Sequence, residues 1–178
     1  MQYEHISGLK ELQEALKQLP QNIARNVLRG AVSAGAALVR DEAKRNAPVF
    51  TGSPQMGHPP PGTLKRSVYI KQIPEPSNLY KQVFFVGVRK GKKYQKQGKH
   101  GTLSQDAYYA SWVEFGHYYA PPGKHSPATR RGANGAVFVQ PHPYLRPAWE
   151  SKKGSAVQRI KDYLAQRIPK ELEKARRS

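Results

Sequence analysis

QNIARNVLRGAVSAGAALVRDEAKRN, residues 21–46, is a segment whose apolar side chains recur at helical spacing. Side chains three or four residues apart share one face of a helix. The members of this face are Ile23, Val27, Ala31, Ala34 and Leu38. Small residues crowd positions 30–37, and small side chains let another backbone approach closely; we interpret this region as packing against the chain's own sheet. Pro48 should end the helix, because the residue before a proline avoids the helical region.

Two more helices flank this segment. Leu9, Leu12, Leu16 and Leu19 predict a helix over Ser7–Leu19, with Ser7 as its N-cap and Pro20 as its stop or as the opening of the next helix. At the other end, a long helix is predicted over 145–176. Its apolar face consists of Val157, Ile160, Leu164, Ile168 and Leu172. Pro169 should kink or break it, since proline lacks the backbone N–H.

The centre of the chain predicts strands. Leu64–Ile73 and Tyr80–Val88 carry β-forming side chains and enclose a Pro-rich turn over 74–78, which favours an antiparallel hairpin. Ala136–Val139 is a third strand candidate, and the aromatic segment Ala107–Gly116 fits a short helix or a strand. The fold class is therefore α+β: an antiparallel sheet of three to four strands packed with an N-terminal helix pair and a long C-terminal helix.

We expect residues 1–178 to form a single domain with long loops rich in proline, glycine and basic residues. Its predicted parts are N-terminal helices over 1–47, a loop over 48–62, a sheet region over 63–139 and the C-terminal helix over 145–176. Two basic loops, 89–106 and 117–135, interrupt the sheet region. Long loops in compact domains are often functional or become ordered on assembly.

The charge of the chain is +18, and its basic residues are concentrated in the middle. Between Ala43 and Trp149 there are sixteen Lys and Arg residues against three acidic ones. The block Arg89–Gly101 holds six basic residues and no acid, so it should stay extended unless it meets a counter-charge. The candidates for contact with DNA or with an acidic partner are Arg89, Lys90, Lys92, Lys93, Lys96, Lys99, Arg130 and Arg131. A solvated basic surface is the third interpretation.

Catalytic and cofactor motifs are missing from the sequence. Cysteine is absent, no Gly-x-x-x-x-Gly-Lys-Ser/Thr loop occurs, and the six histidines show no metal-ligand spacing. Glu114 lies among apolar residues, where a general acid could work, but an ion pair or a backbone hydrogen bond is the preferred interpretation. We therefore predict that the protein is not an enzyme and binds no cofactor and no metal. With no apolar run of about 20 residues and no secretory signal at its start, it is also predicted to have no membrane partner.

Six short pieces, in order, carry a family resemblance. They are GLKEL at 8–12, VRDEAKRNAP at 39–48, TG at 51–52, GTLKRSV at 62–68, VEFG at 113–116 and QPHPYLRPA at 140–148. Together they resemble the small minor tail-component family of long-tailed, lambdoid-type siphophages and prophages, which are neck or tail-completion proteins. The sequence departs from the family pattern in the Pro-rich segment 53–61 and in the lengthened stretch 117–135.

The resemblance implies an α+β subunit that forms a ring, usually a hexamer, at the head-proximal end of the tail, where it completes the tail and helps join it to the connector. Implied partners are other copies of the chain, a tail terminator or tail tube protein and a head-completion or connector protein, with packaged DNA as a further candidate. The implied location is the neck of the virion, after assembly in the host cytoplasm. A host protein that binds nucleic acid independently of sequence is the alternative.

Residues within or beside the six pieces are candidates for contacts between subunits or for anchoring loops. They are Thr51, Leu64, Arg66, Trp112, Glu114, Phe115, Tyr144 and Arg146.

Overall fold

The computed structural model describes residues 9–17, 19–51, 59–78, 81–98, 101–119 and 137–177. The helices in these ranges are α1 (Leu9–Lys17), α2 (Gln21–Asn46), α3 (Thr63–Ser67), α4 (Ala110–Phe115) and α5 (Leu145–Arg177). The strands are β1 (Val68–Gln72), β2 (Phe84–Val88), β3 (Gln95–Gly98), β4 (Gly101–Ser104), β5 (His117–Tyr119) and β6 (Val137–Val139), with a 3-10 turn over Lys92–Tyr94. The predicted α+β class is confirmed.

The chain divides into two compact units, and α2, the β1–β2 pair and α5 each contribute to both. The first unit comprises the described parts of Met1–Asp41, Ile70–Val86 and Ser151–Ser178, and the second those of Glu42–Tyr69 and Gly87–Glu150. That the whole chain acts as one domain stays a prediction.

The core of the first unit is formed by helices. Its buried members are Leu16, Leu19, Ala24, Val27, Ala31, Leu164 and Ile168. Pro20 opens α2, since its carbonyl accepts the Ala24 N–H at 2.9 Å. The predicted N-cap Ser7 lies outside the described residues. α5 continues through Pro169 without ending there, because Leu164, Ile168 and Leu172 pack on this core on both sides of the proline.

Two of the small residues of α2, Gly30 and Gly35, lie against α5, so the predicted packing partner, a sheet, was wrong at these two positions. A methyl group built at Gly35 would lie 2.9 Å from the Ala156 carbonyl oxygen and 2.8 Å from Ile160 Cγ1. One built at Gly30 would lie 2.5 Å from the Tyr163 hydroxyl. Helical period identifies the face of a helix but carries no information on which element covers it.

Alanine at Gly35 should lower the free energy of unfolding by about 1–3 kcal/mol, because the Ala156 backbone cannot move aside cheaply. This cost exceeds the gain in helix propensity, about 1 kcal/mol, that alanine brings over glycine. Gly154→Ala in α5 is the matched control, since nothing lies within 4 Å of a methyl group there and the variant should be stabilised. Urea denaturation measures both, and equal stabilisation by the two substitutions would contradict the close approach.

The core of the second unit surrounds one buried tyrosine. Its buried members are Ala43, Ala47, Leu64, Val68, Ala107, Ala110, Tyr144 and Ala148. Five of these eight residues are alanines, so the backbones of α2, α4 and α5 approach the Tyr144 ring closely. Within this unit, tight packing rather than many large side chains excludes water from the core.

The strands form three two-stranded sheets in the described residues, whereas one sheet of three to four strands was predicted. The predicted hairpin of β1 and β2 is present: the Ile73 N–H donates to Val83 O and the Arg89 N–H to Ser67 O, so the partners run in opposite directions. β3 pairs antiparallel with β4, and β5 pairs antiparallel with β6.

Three predicted boundaries need correction. The predicted strand over Leu64–Ile73 begins with α3, because the Thr63 hydroxyl donates to Pro60 O at 2.6 Å and the Ser67 hydroxyl to Leu64 O at 2.7 Å, closing a helical turn. The predicted basic loop 89–106 contains the β3–β4 hairpin. The predicted loop 117–135 begins with β5, and its positions 120–135 lie outside the described residues.

Candidate functional site

Glu114 of α4 binds the N-terminus of α5. Its Oε2 accepts the N–H groups of Tyr144 at 2.8 Å and Leu145 at 2.9 Å, and its Oε1 accepts the Arg146 N–H at 3.0 Å. The first four N–H groups of a helix lack partners within the helix. Glu114 satisfies three of them, and the fourth position is Pro147, which has no N–H. The carboxylate also opposes the positive end of the helix dipole, so its role here is to position α5.

Tyr144 lies beside this carboxylate, fully buried in the core of the second unit. Burial raises the pKa of its phenol above the ordinary value of 10.0, and the charges of Glu114 and Tyr109 raise it further. No described residue accepts a hydrogen bond from the Tyr144 hydroxyl. The phenol therefore remains neutral and contributes through its ring, while its hydroxyl brings a desolvation cost without a compensating bond.

Tyr144→Phe should leave stability at pH 7 unchanged or raise it by up to about 1 kcal/mol, because an unpaired buried hydroxyl is removed. The unfolded chain ionises Tyr144 near pH 10 and the folded chain only at higher pH. The wild type therefore loses stability as the pH rises above about 10, and the variant should lose less. Denaturation at pH 7 and pH 10.5 measures this difference. A wild type and variant with the same alkaline loss would contradict it.

Arg66 ties α3 to the turn before it. Its Nη1 donates to Pro61 O at 2.9 Å and its Nη2 to the Thr63 hydroxyl at 3.1 Å. Gly62 takes the left-handed conformation at φ 75° and its carbonyl accepts the Arg66 N–H at 3.0 Å. Leu64 is buried directly below, so this turn is held firmly to the core.

A groove of about 410 Å³ opens on the second unit between that turn and α4. None of the described residues that line it carries a charged side chain. The lining residues are Pro48, Val49, Phe50, Pro59, Pro60, Pro61, Gly62, Leu64, Tyr108, Tyr109, Trp112 and Val113. The rim residue Phe50 is 58% exposed, and Tyr108 and Trp112 pack edge to face with ring centroids 5.9 Å apart. Such a concave, aromatic surface suits an apolar partner.

The β5–β6 hairpin follows α4 and is also apolar on its surface. Trp112 stacks on His117 at 5.3 Å, and Tyr118 lies against Phe138 at 5.1 Å. Gly116 turns the chain at φ 75°, where a methyl group would lie 2.7 Å from Phe138 Cζ and 2.8 Å from Val139 O. The hairpin is thus closely joined to α4, yet all three residues of β6 remain exposed.

The basic turn, residues 89–95, contains the 3-10 turn Lys92–Tyr94 and the cations Arg89, Lys90, Lys92 and Lys93. Asp106, 5% exposed, accepts the Gly91 N–H on Oδ1 and the Gln95 side-chain N–H on Oδ2, both at 2.7 Å. The Arg89 guanidinium lies 4.8 Å from the Tyr69 ring centroid, and Lys93 Nζ lies 5.0 Å from that of Tyr94. Lys90, Lys92 and Lys93 are exposed. Asp106 therefore holds this basic turn in place through its hydrogen bonds to Gly91 and Gln95.

The predicted site residues fall into two groups. Leu64, Arg66, Trp112, Glu114 and Tyr144 surround the core and groove of the second unit, and Arg89, Lys90, Lys92 and Lys93 lie at the base of the β3–β4 hairpin. Thr51, Phe115 and the Arg146 side chain are exposed. Lys96 lies in β3, while Lys99, Arg130 and Arg131 lie outside the described residues. Whether any of them contacts another molecule stays a prediction.

Sequence reasoning predicted a strand at Ala136–Val139 but missed its exposure, and it missed the groove and the bonds of Asp106. The run Val137-Phe138-Val139, apolar at three successive positions, was a signal that this strand lacks a solvent face. Among the residues that the structure describes, no three His, Asp or Glu side chains lie close enough to hold a metal ion. None of the described helices contains a segment long and apolar enough to cross a membrane.

Comparison with known proteins gives one match. A family model described as "Bacteriophage HK97-gp10, putative tail-component" matches residues 10–116, from α1 to the residue after α4. No curated protein and no solved structure matches. The matched range includes the basic turn, Glu114 and all the described residues that line the groove, whereas β5, β6 and α5 lie beyond it.

Proposed function

Because this chain belongs to the HK97-gp10-like family of bacteriophage tail components, we propose that it is a ring-forming subunit of the neck of a long-tailed phage. In this proposal about six copies complete the head-proximal end of the tail and join it to the connector. The family match over residues 10–116 carries the proposal. The partners are further copies of the chain, the tail terminator or tube protein and the head-completion protein.

The surface of the second unit supports a structural role. Its groove and its β5–β6 hairpin expose aromatic and branched side chains that a monomer gains nothing by exposing. Both oxygens of Glu114, the residue best suited by sequence to be a general acid, accept backbone N–H groups that start α5. A ring subunit gains stability from its neighbours by mass action, so its interface residues need not stabilise the isolated chain.

Particles made with and without this gene test the proposed function. Without the chain, negative-stain electron microscopy should show filled heads and tails that do not join, and complementation by the wild-type gene should restore joined particles. Mass spectrometry of purified virions should detect the chain at about six copies per particle, in line with closed rings of identical subunits. Its absence from purified virions would refute the proposal.

We further propose that the basic turn faces the DNA channel. Its exposed cations Lys90, Lys92 and Lys93 belong to the block Arg89–Gly101, which holds no acid. An acidic surface of a neck protein is the competing target of these charges. Both targets are polyanionic surfaces. A chain with these charges neutralised should fail to bind the target that the turn contacts, and that failure distinguishes DNA from an acidic protein.

Replacing Lys92, Lys93, Lys96 and Lys99 with glutamine should lower DNA retention and infectivity at least tenfold. The slope of log affinity for duplex DNA against log salt should shrink by about 3–4, since each lost phosphate contact removes about 0.9. The control neutralises four exposed cations of the first unit: Lys10, Arg25, Arg159 and Lys170. Equal effects of the two sets would show that net charge alone matters, and normal DNA retention with failed head joining would assign the turn to an acidic protein.

A further inference from the structure

The groove of the second unit and the β5–β6 hairpin are both apolar and free of Lys, Arg, Asp and Glu among their described residues. The rest of the molecule differs, because the chain carries a net charge of +18. Two copies repel each other wherever their cationic surfaces meet. Contact between copies therefore meets the least repulsion where an uncharged surface faces another uncharged surface.

Both faces of the β5–β6 hairpin carry apolar side chains that another surface would bury. A strand that covers a core on one side alternates apolar and polar residues, whereas β6 reads Val137-Phe138-Val139 with all three exposed. Its partner β5 adds the exposed rings of Tyr118 and Tyr119. An isolated two-stranded hairpin is marginal in water, and this one exposes apolar side chains that ordinarily mark a binding surface.

The hairpin is held ready for docking by its attachment to α4. The His117 ring stacks on Trp112, and the Phe138 ring closes over Gly116. It remains exposed and is not seated in the groove of its own chain. A rigid apolar hairpin and a rigid apolar groove on one chain can form the two sides of a head-to-tail interface. Interfaces of this type generate closed rings when the rotation between copies permits it.

We propose that the β5–β6 hairpin of one copy packs into the apolar groove of a neighbouring copy, with Phe138 and Val137 against Phe50, Tyr108 and Trp112. This inference rests on the proposed function, since it names the contact that would close the ring. The interface covers the hairpin and the groove in one step. Preorganisation of both parts limits the entropy lost on association.

The absence of cysteine from the chain allows a direct test by disulfide formation. Phe50→Cys and Phe138→Cys are made as two separate chains, one of them tagged, and expressed together in place of the wild-type gene. A heterodisulfide between the chains is then necessarily intermolecular. Purified particles should contain it, whereas particles from the Phe50→Cys and Val157→Cys pair should not. Val157, 39% exposed in α5 of the first unit, matches Phe138 at 41%.

The outcomes separate this inference from the proposed function. Particles that contain the chain without the heterodisulfide, or with a Phe138→Cys homodisulfide instead, would overturn the hairpin-in-groove contact and leave the neck role intact. Particles that lack even the wild-type chain would overturn the neck role. The purified mixture at high concentration would then decide the contact alone, through the presence or absence of the heterodisulfide.

A charge placed in the contact gives a second measurement. Phe138→Glu should lower incorporation into particles at least tenfold, because a carboxylate would be buried among the groove's aromatic rings. Val157→Glu should incorporate like the wild type. Circular dichroism of both purified variants checks that each is folded. Normal incorporation of a folded Phe138→Glu chain would overturn the inference.

Discussion

Glu114→Gln should lower the free energy of unfolding by about 2–4 kcal/mol, because one buried and two partly buried N–H groups lose part of a charged acceptor. The amide keeps one oxygen and turns an NH₂ group toward backbone donors, so at least one N–H is left unsatisfied. Glu114 is 6% exposed, and water cannot easily replace the lost bonds. Urea denaturation measures the change, with Glu75→Gln, an exposed carboxylate of the β1–β2 turn, as the control.

A local readout shows whether the loss occurs where the geometry places it. Amide hydrogen exchange at Tyr144, Leu145 and Arg146 should accelerate in Glu114→Gln, while exchange near Val27 in the first unit should change less. The helix itself offers no acceptors to these groups, because the first N–H groups of a helix have no partner within it. Unchanged exchange at these three amides, or a loss of less than 0.5 kcal/mol, would contradict the anchoring role.

Asp106→Asn should cost about 1.5–3 kcal/mol, through the hydrogen bonds to Gly91 N and the Gln95 side chain. Asparagine retains one oxygen, so one of these donors loses its acceptor in a buried position. We expect faster exchange across Gly91–Gln95 and a larger spread of positions for Lys92 and Lys93. Denaturation and exchange measure both effects. Asp162→Asn, an exposed carboxylate of α5, is the control, and equal behaviour of the two variants would refute the anchor.

The burial of Glu114 and Asp106 explains why exposed acidic side chains balance so little of the positive charge between Ala43 and Trp149. Of the three acidic residues between Ala43 and Trp149, Asp106 and Glu114 are buried and accept N–H groups. Glu75 alone is exposed. Within the second unit, the described residues from Ala43 to Trp149 therefore present cations to solvent without an exposed carboxylate of their own, while Glu42, which pairs with Arg45, and the exposed Glu150 lie just outside that stretch.

The helices of the fold were predictable, because α1, α2 and α5 bury apolar faces whose spacing is written in the sequence. The element that packs against the small residues of α2 was not predictable. Its small residues indicated close approach, but the sheet proposed as the partner is replaced by Tyr163, Ile160 and Ala156 of α5 at Gly30 and Gly35. Periodicity describes one element at a time, and the choice of partner is made by packing between distant segments.

Local structures that depend on individual hydrogen bonds were harder to predict than the helices. α3 depends on the Thr63 and Ser67 hydroxyls closing on backbone carbonyls, and such bonds override the β-forming pattern that follows. The basic hairpin depends on Asp106, fifteen positions after Gly91. The sequence identified Glu114 as a residue that bonds to backbone, but its partners begin thirty positions later at Tyr144. The groove arises from three segments that only the folded chain brings together.

The hydrogen bond from the Tyr144 N–H to Glu114 fixes the start of α5, so the link that precedes α5 is a suitable place to insert a foreign peptide. Both ends of the intervening link are fixed, since the His142 N–H donates to Val113 O at 2.8 Å and β5 pairs with β6. Lengthening a link between fixed ends costs only about 0.6 kcal/mol per doubling. An epitope inserted between Tyr119 and Val137 should therefore leave folding intact and give each copy of the chain a label for microscopy.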